Sequence, residues 1–477
     1  MDKDTRRFIE HDALRARLAA AEARIRELSE MVRERDRLLA EIDRTRLWRL
    51  CTRWYALRTL LRRGHAESPP PRPEPAAARH GATGERVLFI SHDAQRMGAQ
   101  TVLLHFLHWF RDNTDIPFEI LLKRGGELQP DFEALAPVTV WGEWDEMDEL
   151  AYIGAEQKPG SGTVPLPGNA HTRRVSRLLA RKGFGLVYSN TLANGLLLEA
   201  LRGLRCPVIS HVHELDWCIR HYLCCIAEVA KARTGRYIAV SRAVRRALIE
   251  TLGVAEESIE IVYDFIAPRA GSIRPLKTPA QVRAELGIPD DAWVVGASGT
   301  TDWRKGADLF VFLARAVYRR RPERPVHFVW VGGDGDWRVV GSLRHDLAHT
   351  GLSDLVRFIG ARRDPFDCYN AFDVFAMLSR EDPCPLVMVE AAALAKPVVC
   401  FEGSGGAPEF VEEDCGFVVP YYDFEAMAEK TLSLLRSPEL RRRMGEAGAA
   451  KARARHDVSV AAPRIAEIIR QTIQGRG

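Results

Sequence analysis

Seven short apolar runs, separated by stretches with helical periodicity, constrain the fold of this chain more than any other feature. Residues 86–91 (RVLFIS), 118–122, 186–189, 207–212 and 236–240 fall in its first part, and residues 293–298 and 326–331 in its second. Runs this short and this continuously apolar fit strands covered on both faces, and strands that alternate with helices pair in parallel. At 477 residues the chain is longer than one hydrophobic core supports. Two α/β domains are therefore expected, at 85–268 and 271–437, followed by terminal helices at 438–477.

The segment 379–399, SREDPCPLVMVEAAALAKPVV, sets Asp382 and Glu390 eight residues apart across a loop that opens a helix. Pro385 suits the first helical position, where its missing N–H would have no partner anyway. The amides of Leu386 and Val387 then emerge from a helix N-terminus, which favours an anion. Asp382 in the loop and Glu390 more than a turn inside the helix are expected to face one cleft. The bland reading is an acidic loop before a buried Ala-rich helix. Upstream, the strand at 293–298 runs into Gly299, Thr300, Arg304, Lys305 and Gly306 and then into a helical run. Cations are disfavoured at a helix N-terminus. The basic pair Arg304 and Lys305 therefore argues for an anionic ligand at the mouth of a parallel sheet.

In the first part, Gly98 lies between the strand at 86–91 and a helical run, where a glycine lets backbone amides approach a phosphate. A simple turn would use the same glycine. The run VISHVHE ends a strand with two histidines, and a His at the carboxyl edge of a parallel strand faces the ligand crevice. His211 is read as structural. The acidic, Gly/Pro-rich stretch 141–169 is long for a loop, and its Trp141, Trp144 and Tyr152 are candidates for stacking on the rings of a ligand. Asp334 and Asp336 have D-x-D spacing but are read as part of a Gly-rich strand-to-helix loop, so neither a metal nor another cofactor is expected. No Walker A loop, H-E-x-x-H or G-x-S-x-G occurs.

Taken in order, these elements resemble the donor-binding half of the retaining GT-B glycosyltransferases of family 4. The family's E-x7-E appears as Asp382-x7-Glu390, with Asp in the first place. Its glycine, arginine and Lys-Gly appear as Gly299, Lys305 and Gly306, with Thr300 where the arginine follows the glycine and Arg304 as the candidate substitute. Its GG-x-PE loop matches Gly405, Gly406, Pro408 and Glu409. The resemblance implies two facing Rossmann-like domains in the GT-B arrangement. It also implies transfer of a sugar, with retained configuration, from a nucleotide diphosphate sugar to an acceptor hydroxyl. By the same resemblance Arg304 and Lys305 stabilise the leaving diphosphate, Asp382 holds sugar hydroxyls and Glu390 holds the ribose. His213, paired with Glu214 as in the family's His-Asp/Glu element, sits near the sugar and phosphate. Gly98, Gly299, Thr300, Leu386, Val387, Gly405 and Gly406 line the donor, and the Val262 to Phe265 run marks the hinge. Two alternatives stay open: a nucleotide-sugar epimerase of the same fold, and a catalytically silent scaffold.

The N-terminal arm differs in character from the rest. Residues 1–63 hold 17 Lys or Arg against 11 Asp or Glu, whereas the remainder is about neutral. From Leu14 to Ile42 apolar positions recur by fours and threes, broken only at Arg35, so a coiled coil at 1–43 and self-association through it are expected. Residues 44–67 interleave arginines with Leu and Trp and carry no acid between Arg44 and Arg63. Such a basic amphipathic helix suits a membrane surface, with a helix docked on the body as the rival reading. Nucleic acid is disfavoured, because no recognised fold accompanies the basic run. A Pro-rich linker follows at 68–84. Nine cysteines without paired C-x-x-C spacing read as reduced thiols. No apolar run approaches the length of a membrane span and no signal peptide is recognised. The expectation is a cytoplasmic protein, peripheral on the inner face of a membrane, acting on a glycan or lipid-linked glycan.

Overall fold

The computed structural model of the chain describes residues 85–142, 170–266, 273–333, 337–362 and 365–475. The expected coiled coil, basic helix and linker lie outside these residues, as do Trp144, Tyr152, Asp334, Asp336 and the boundary at 268–271.

Two wholly parallel sheets carry the fold. In the first, β1 (Val87–Ser91) has β2 (Phe118–Leu122) and then β3 (Val138–Val140) on one side. On its other side come β4 (Leu186–Ser189), β5 (Val208–Val212), β6 (Arg236–Ala239) and β7 (Ile259–Ile261). In the second, β8 (Trp293–Ser298) has β9 (Val326–Val331) and β10 (Val356–Phe358) on one side. Opposite them lie β11 (Val374–Met377), β12 (Val398–Phe401) and β13 (Gly416–Val419). Each residue of β1, β5, β8 and β9 is buried, since helices cover both faces; this is why those strands read as continuous apolar runs.

Strand order reverses between β1 and β4 in one sheet and between β8 and β11 in the other. Ligands of open α/β sheets bind outside the carboxyl ends of the strands at such switch points. The loops leaving those ends converge. The one after β1 brings Gly98 beside Leu386, which follows β11. The segment after β5 brings Trp217 against Trp303, which follows β8, with ring centroids 5.0 Å apart.

The two terminal helices divide between the halves. Helix Pro438–Arg455 buries Ala452 in the second half's core, whereas helix Val458–Gln474 buries Ile465, Ile468 and Ile469 against Phe89, Phe106 and Tyr188 of the first. Each of those isoleucines contributes about 2 kcal/mol by removal from water. No helix among the described residues is long and apolar enough to cross a membrane.

Candidate active site

The loop after β8 is braced by its own polar side chains. The Thr300 hydroxyl donates to Asp302, and the other Asp302 oxygen accepts the Lys305 N–H at 3.0 Å. Gly306 then adopts a left-handed φ of 75°, and a Cβ there would stand 2.3 Å from the Leu378 carbonyl oxygen, so the chain can enter helix Ala307–Arg319 only through glycine. Arg380 ties this loop to the one after β11: its guanidinium forks onto Asp308 at 2.9 and 2.6 Å and also donates to the Trp303 carbonyl. These constraints deliver the Lys305 ammonium to Asp382, Nζ to Oδ2 at 2.6 Å, where the Ser379 hydroxyl also donates at 3.3 Å. Asp382 is buried, while Lys305 keeps one side open.

The backbone of Asp382 is fixed by the Gly405 and Gly406 turn. Asp382 N–H donates to the Ser404 carbonyl at 2.8 Å, and Gly406 N–H to the Asp382 carbonyl at 2.9 Å. Gly405 has φ 113°, and a Cβ would meet the Asp382 carbonyl oxygen at 2.0 Å. The paired glycines therefore permit a backbone crossing that any side chain would prevent. Helix Leu386–Ala393 begins just beyond, one residue later than expected, with Pro385 preceding the helix instead of opening it. Its first intrahelical bonds run from Met388 and Val389 to the Pro385 carbonyl, so the Leu386 and Val387 amides precede them. Glu390 is half-buried on this helix near Tyr369, whose hydroxyl bonds Ser298 at the end of β8. Burial pushes that phenol up, and the Glu390 charge adds to the effect. Gly299 closes the same corner, its carbonyl accepting the Trp330 indole N–H at 3.0 Å.

Gly98, in contrast, has no steric need to be glycine: a Cβ there would meet only Leu386 Cδ1, at 3.7 Å. What it leaves is room at the start of its helix. Arg304 stands beside Glu381, Nε to Oε2 at 4.0 Å, and that Nε has no hydrogen-bond partner. Glu381 accepts the Trp217 N–H at 3.0 Å from the other half, and burial raises its pKa despite the nearby Arg304. Glu409 bridges the halves in the same way. It accepts the Arg242 and Ala243 N–H groups at 2.9 and 2.7 Å, at the start of helix Arg242–Glu250, and the Tyr263 hydroxyl at 3.3 Å. Neither bridge was legible locally, because each carboxylate answers amides more than 160 positions away.

The two members of the His213-Glu214 element have separate partners: the Glu214 carboxylate accepts the Thr191 hydroxyl and the Leu192 and His213 backbone N–H groups. The ring of His213 instead meets Asp264, Nδ1 to Oδ2 at 3.2 Å. His211 lies in the same cluster, its ring 4.4 Å from that of His213 and its Nδ1 bonded to the Tyr188 hydroxyl at 2.7 Å. The ligand-type atoms of His211, His213 and Asp264 lie within 4.8 Å of one another. Hydrogen bonds engage both Nδ1 atoms and Asp264 Oδ2, while both Nε2 atoms and Asp264 Oδ1 are buried without a partner. The expectation for Trp141 needs correction: it is 1 % exposed in the first half's core and cannot stack on a sugar.

Comparison with known proteins bears on both halves. The family model described as "Glycosyl transferases group 1" matches residues 280–451, and the one described as "Glycosyltransferase Family 4" matches residues 137–269. The chain is 26% identical over 280 residues to a D-inositol 3-phosphate glycosyltransferase of Corynebacterium efficiens, covering 55% of this chain and 66% of that one. It is 33% identical over 166 residues to the lipopolysaccharide core biosynthesis glycosyltransferase LpsE of Rhizobium meliloti, covering 35% and 46%. It spans about two thirds or less of the length of these curated relatives. Among solved structures, Anabaena HepE in complex with UDP-glucose superposes with a TM-score of 0.67 at 22% identity, over 81% of this chain and 99% of that one. That likeness establishes the shared GT-B fold.

Proposed function

Because this chain belongs to the family 4, group 1 glycosyltransferases, we propose that it transfers a sugar from a nucleotide diphosphate sugar to a hydroxyl of a glycan or lipid-linked glycan. The observation that carries this reading is the Lys305–Asp382 contact, held at the carboxyl end of the second sheet by the Gly405 crossing. An ammonium with one donor committed to Asp382 has two left for phosphate oxygens. Arg304 adds a guanidinium whose Nε is unpartnered, and the Leu386 and Val387 amides add a helix N-terminus. Preorganised cations and dipoles of this kind stabilise charge as it develops on the leaving diphosphate, and no other catalytic effect is expected to lower the barrier to such a transfer as much.

Asp382 then orients the donor sugar's hydroxyls, Glu390 holds the ribose and His213 lies against the sugar and its phosphate. No covalent nucleophile is assigned; same-face attack assisted by the departing phosphate gives retained configuration. The named activity of the lipopolysaccharide-core relative favours a lipid-linked or surface glycan as acceptor, whereas that of the inositol phosphate relative names a small phosphorylated polyol. The basic arm at 44–63 would hold the enzyme at that surface, and residues 1–43 would mediate self-association.

Calorimetry with UDP, GDP and ADP and their sugars tests the donor site. One nucleotide class is expected to bind wild type and to be lost in Lys305→Ala. No binding by any of them would reject the transferase reading. Transfer of radiolabelled sugar into a lipid extract, with the anomeric configuration read by NMR, tests the acceptor and the stereochemistry.

A further inference from the structure

His213 and Asp264 each fall in a segment that the family resemblance covers, but the contact between their side chains is seen only in the folded chain. We propose that Asp264 is a positioning residue that holds His213 as a doubly protonated imidazolium, so that Nε2–H serves as a charged donor to the nucleotide sugar. This inference rests on the transferase reading for its purpose, but not for its geometry.

Asp264 follows β7, on the chain leaving the first half, and is 4 % exposed. Its Oδ2 meets His213 Nδ1 at 3.2 Å, while Oδ1 has no hydrogen-bond partner. Its backbone carbonyl is bonded by His456 Nδ1 at 2.6 Å, and Ile266 N–H donates to the His456 carbonyl at 2.9 Å. These bonds fix the Asp264 backbone where the chain leaves the first half. The other groups packed around the pair are Tyr188, His211, Glu214, His456 and Cys384. Burial holds the Tyr188 phenol and the Cys384 thiol protonated, and holds His211 and His456 neutral. Among these neighbours His213 is therefore the one group able to supply a cation to Asp264. A buried carboxylate left without a cation is costly, so the ensemble favours the imidazolium. Burial alone would lower the His213 pKa, but the charge and hydrogen bond of Asp264, with Glu214, raise it instead. With Nδ1–H committed to Asp264, the second proton of the imidazolium sits on Nε2, which is buried and has no hydrogen-bond partner.

The test is imidazole NMR of the full chain labelled with 15N-histidine, with His213 assigned by its loss in His213→Gln. In wild type His213 is expected to titrate above 6.5, the ordinary value, and in Asp264→Asn below it, because burial is then unopposed. Asp264→Glu, which keeps the carboxylate, should restore much of the shift and guards against a misfolded Asn variant. Calorimetry with UDP and GDP between about pH 5 and 8 adds a functional readout. Wild-type affinity should fall as pH rises through the His213 titration. In Asp264→Asn it should be roughly tenfold weaker at neutral pH and nearly flat. A wild-type His213 titrating at or below 6.5, a titration unmoved by Asp264→Asn, or stoichiometric zinc bound by wild type and lost in that variant would each overturn the proposal. Failure of both nucleotides to bind wild type would reject the transferase reading and leave the NMR result to decide the pairing.

Discussion

Truncating Lys305 and truncating Asp382 should have unequal costs, and the inequality follows from where each charge sits. Asp382 is 4 % exposed, and without Lys305 its only remaining side-chain partner is the Ser379 hydroxyl at 3.3 Å. Breaking a buried pair by removing one partner costs about 3–5 kcal/mol. Because the Lys305 side chain is 22% exposed and water can replace part of it, the lower end applies, about 3 kcal/mol for Lys305→Ala. Asp382→Ala instead frees an ammonium that can turn to solvent, at about 1 kcal/mol. The double variant should cost little more than Asp382→Ala alone, giving a coupling energy of about 3 kcal/mol in magnitude. Urea denaturation of the full chain, compared at constant m, measures all three. Binding should show the complementary asymmetry: Lys305→Ala weakens nucleoside diphosphate affinity by about 10–100-fold, whereas Asp382→Ala retains it because a like charge has left the phosphates' surroundings. Equal stability losses in the two single variants would refute this account of the site, as would undiminished nucleotide binding by Lys305→Ala.

Gly405→Ala must move the Asp382 backbone and should destabilise by more than about 3 kcal/mol, seen as a lowered thermal midpoint. Gly98→Ala meets only an ordinary contact, so stability should stay within about 0.5 kcal/mol while nucleotide affinity, read by calorimetry, falls. Glu409→Ala leaves two helix N-terminal amides without their acceptor and should cost about 2–3 kcal/mol in urea, with Glu409→Gln losing about half as much. Burial holds His456 at about 4 against an ordinary 6.5. The unfolded chain therefore takes up that proton first, and stability should decline as pH falls from 6.5 towards 4, by up to about 3 kcal/mol. His456→Asn should flatten that part of the stability profile.

The legibility of this fold in its sequence followed burial only in part, since the fully buried β11 and β12 were not among the expected runs. Strands β2, β4, β8 and β9 lie on the runs expected for them, because a central parallel strand is apolar on both faces. The edge strands β3 and β10 did not stand out: Val-Thr-Val and Val-Arg-Phe are short and half exposed, and carry no periodic signal. In the site, Lys305 and Asp382 were recognisable from glycine turns and from a cation placed against a helix dipole. Asp264 and Glu381 were not assigned roles, because their partners come from distant elements that only the folded chain brings near. Trp141 was misread for a related reason. An aromatic in a Gly/Pro-rich stretch looks available until the core it enters is seen.

The helix Val458–Gln474 has a consequence for how the protein is made. It supplies Ile465, Ile468 and Ile469 to a core whose buried members outside this helix are all synthesised before residue 266. Roughly 200 residues must be translated in between, so at about 5–20 residues per second the first half waits about 10–40 s on the ribosome with an apolar bed uncovered. Domains usually fold in the order of their synthesis, whereas here the half that emerges first is completed last. A nascent chain stalled after β13 should accordingly recruit chaperones through its first half, and release of the final helix should end that association.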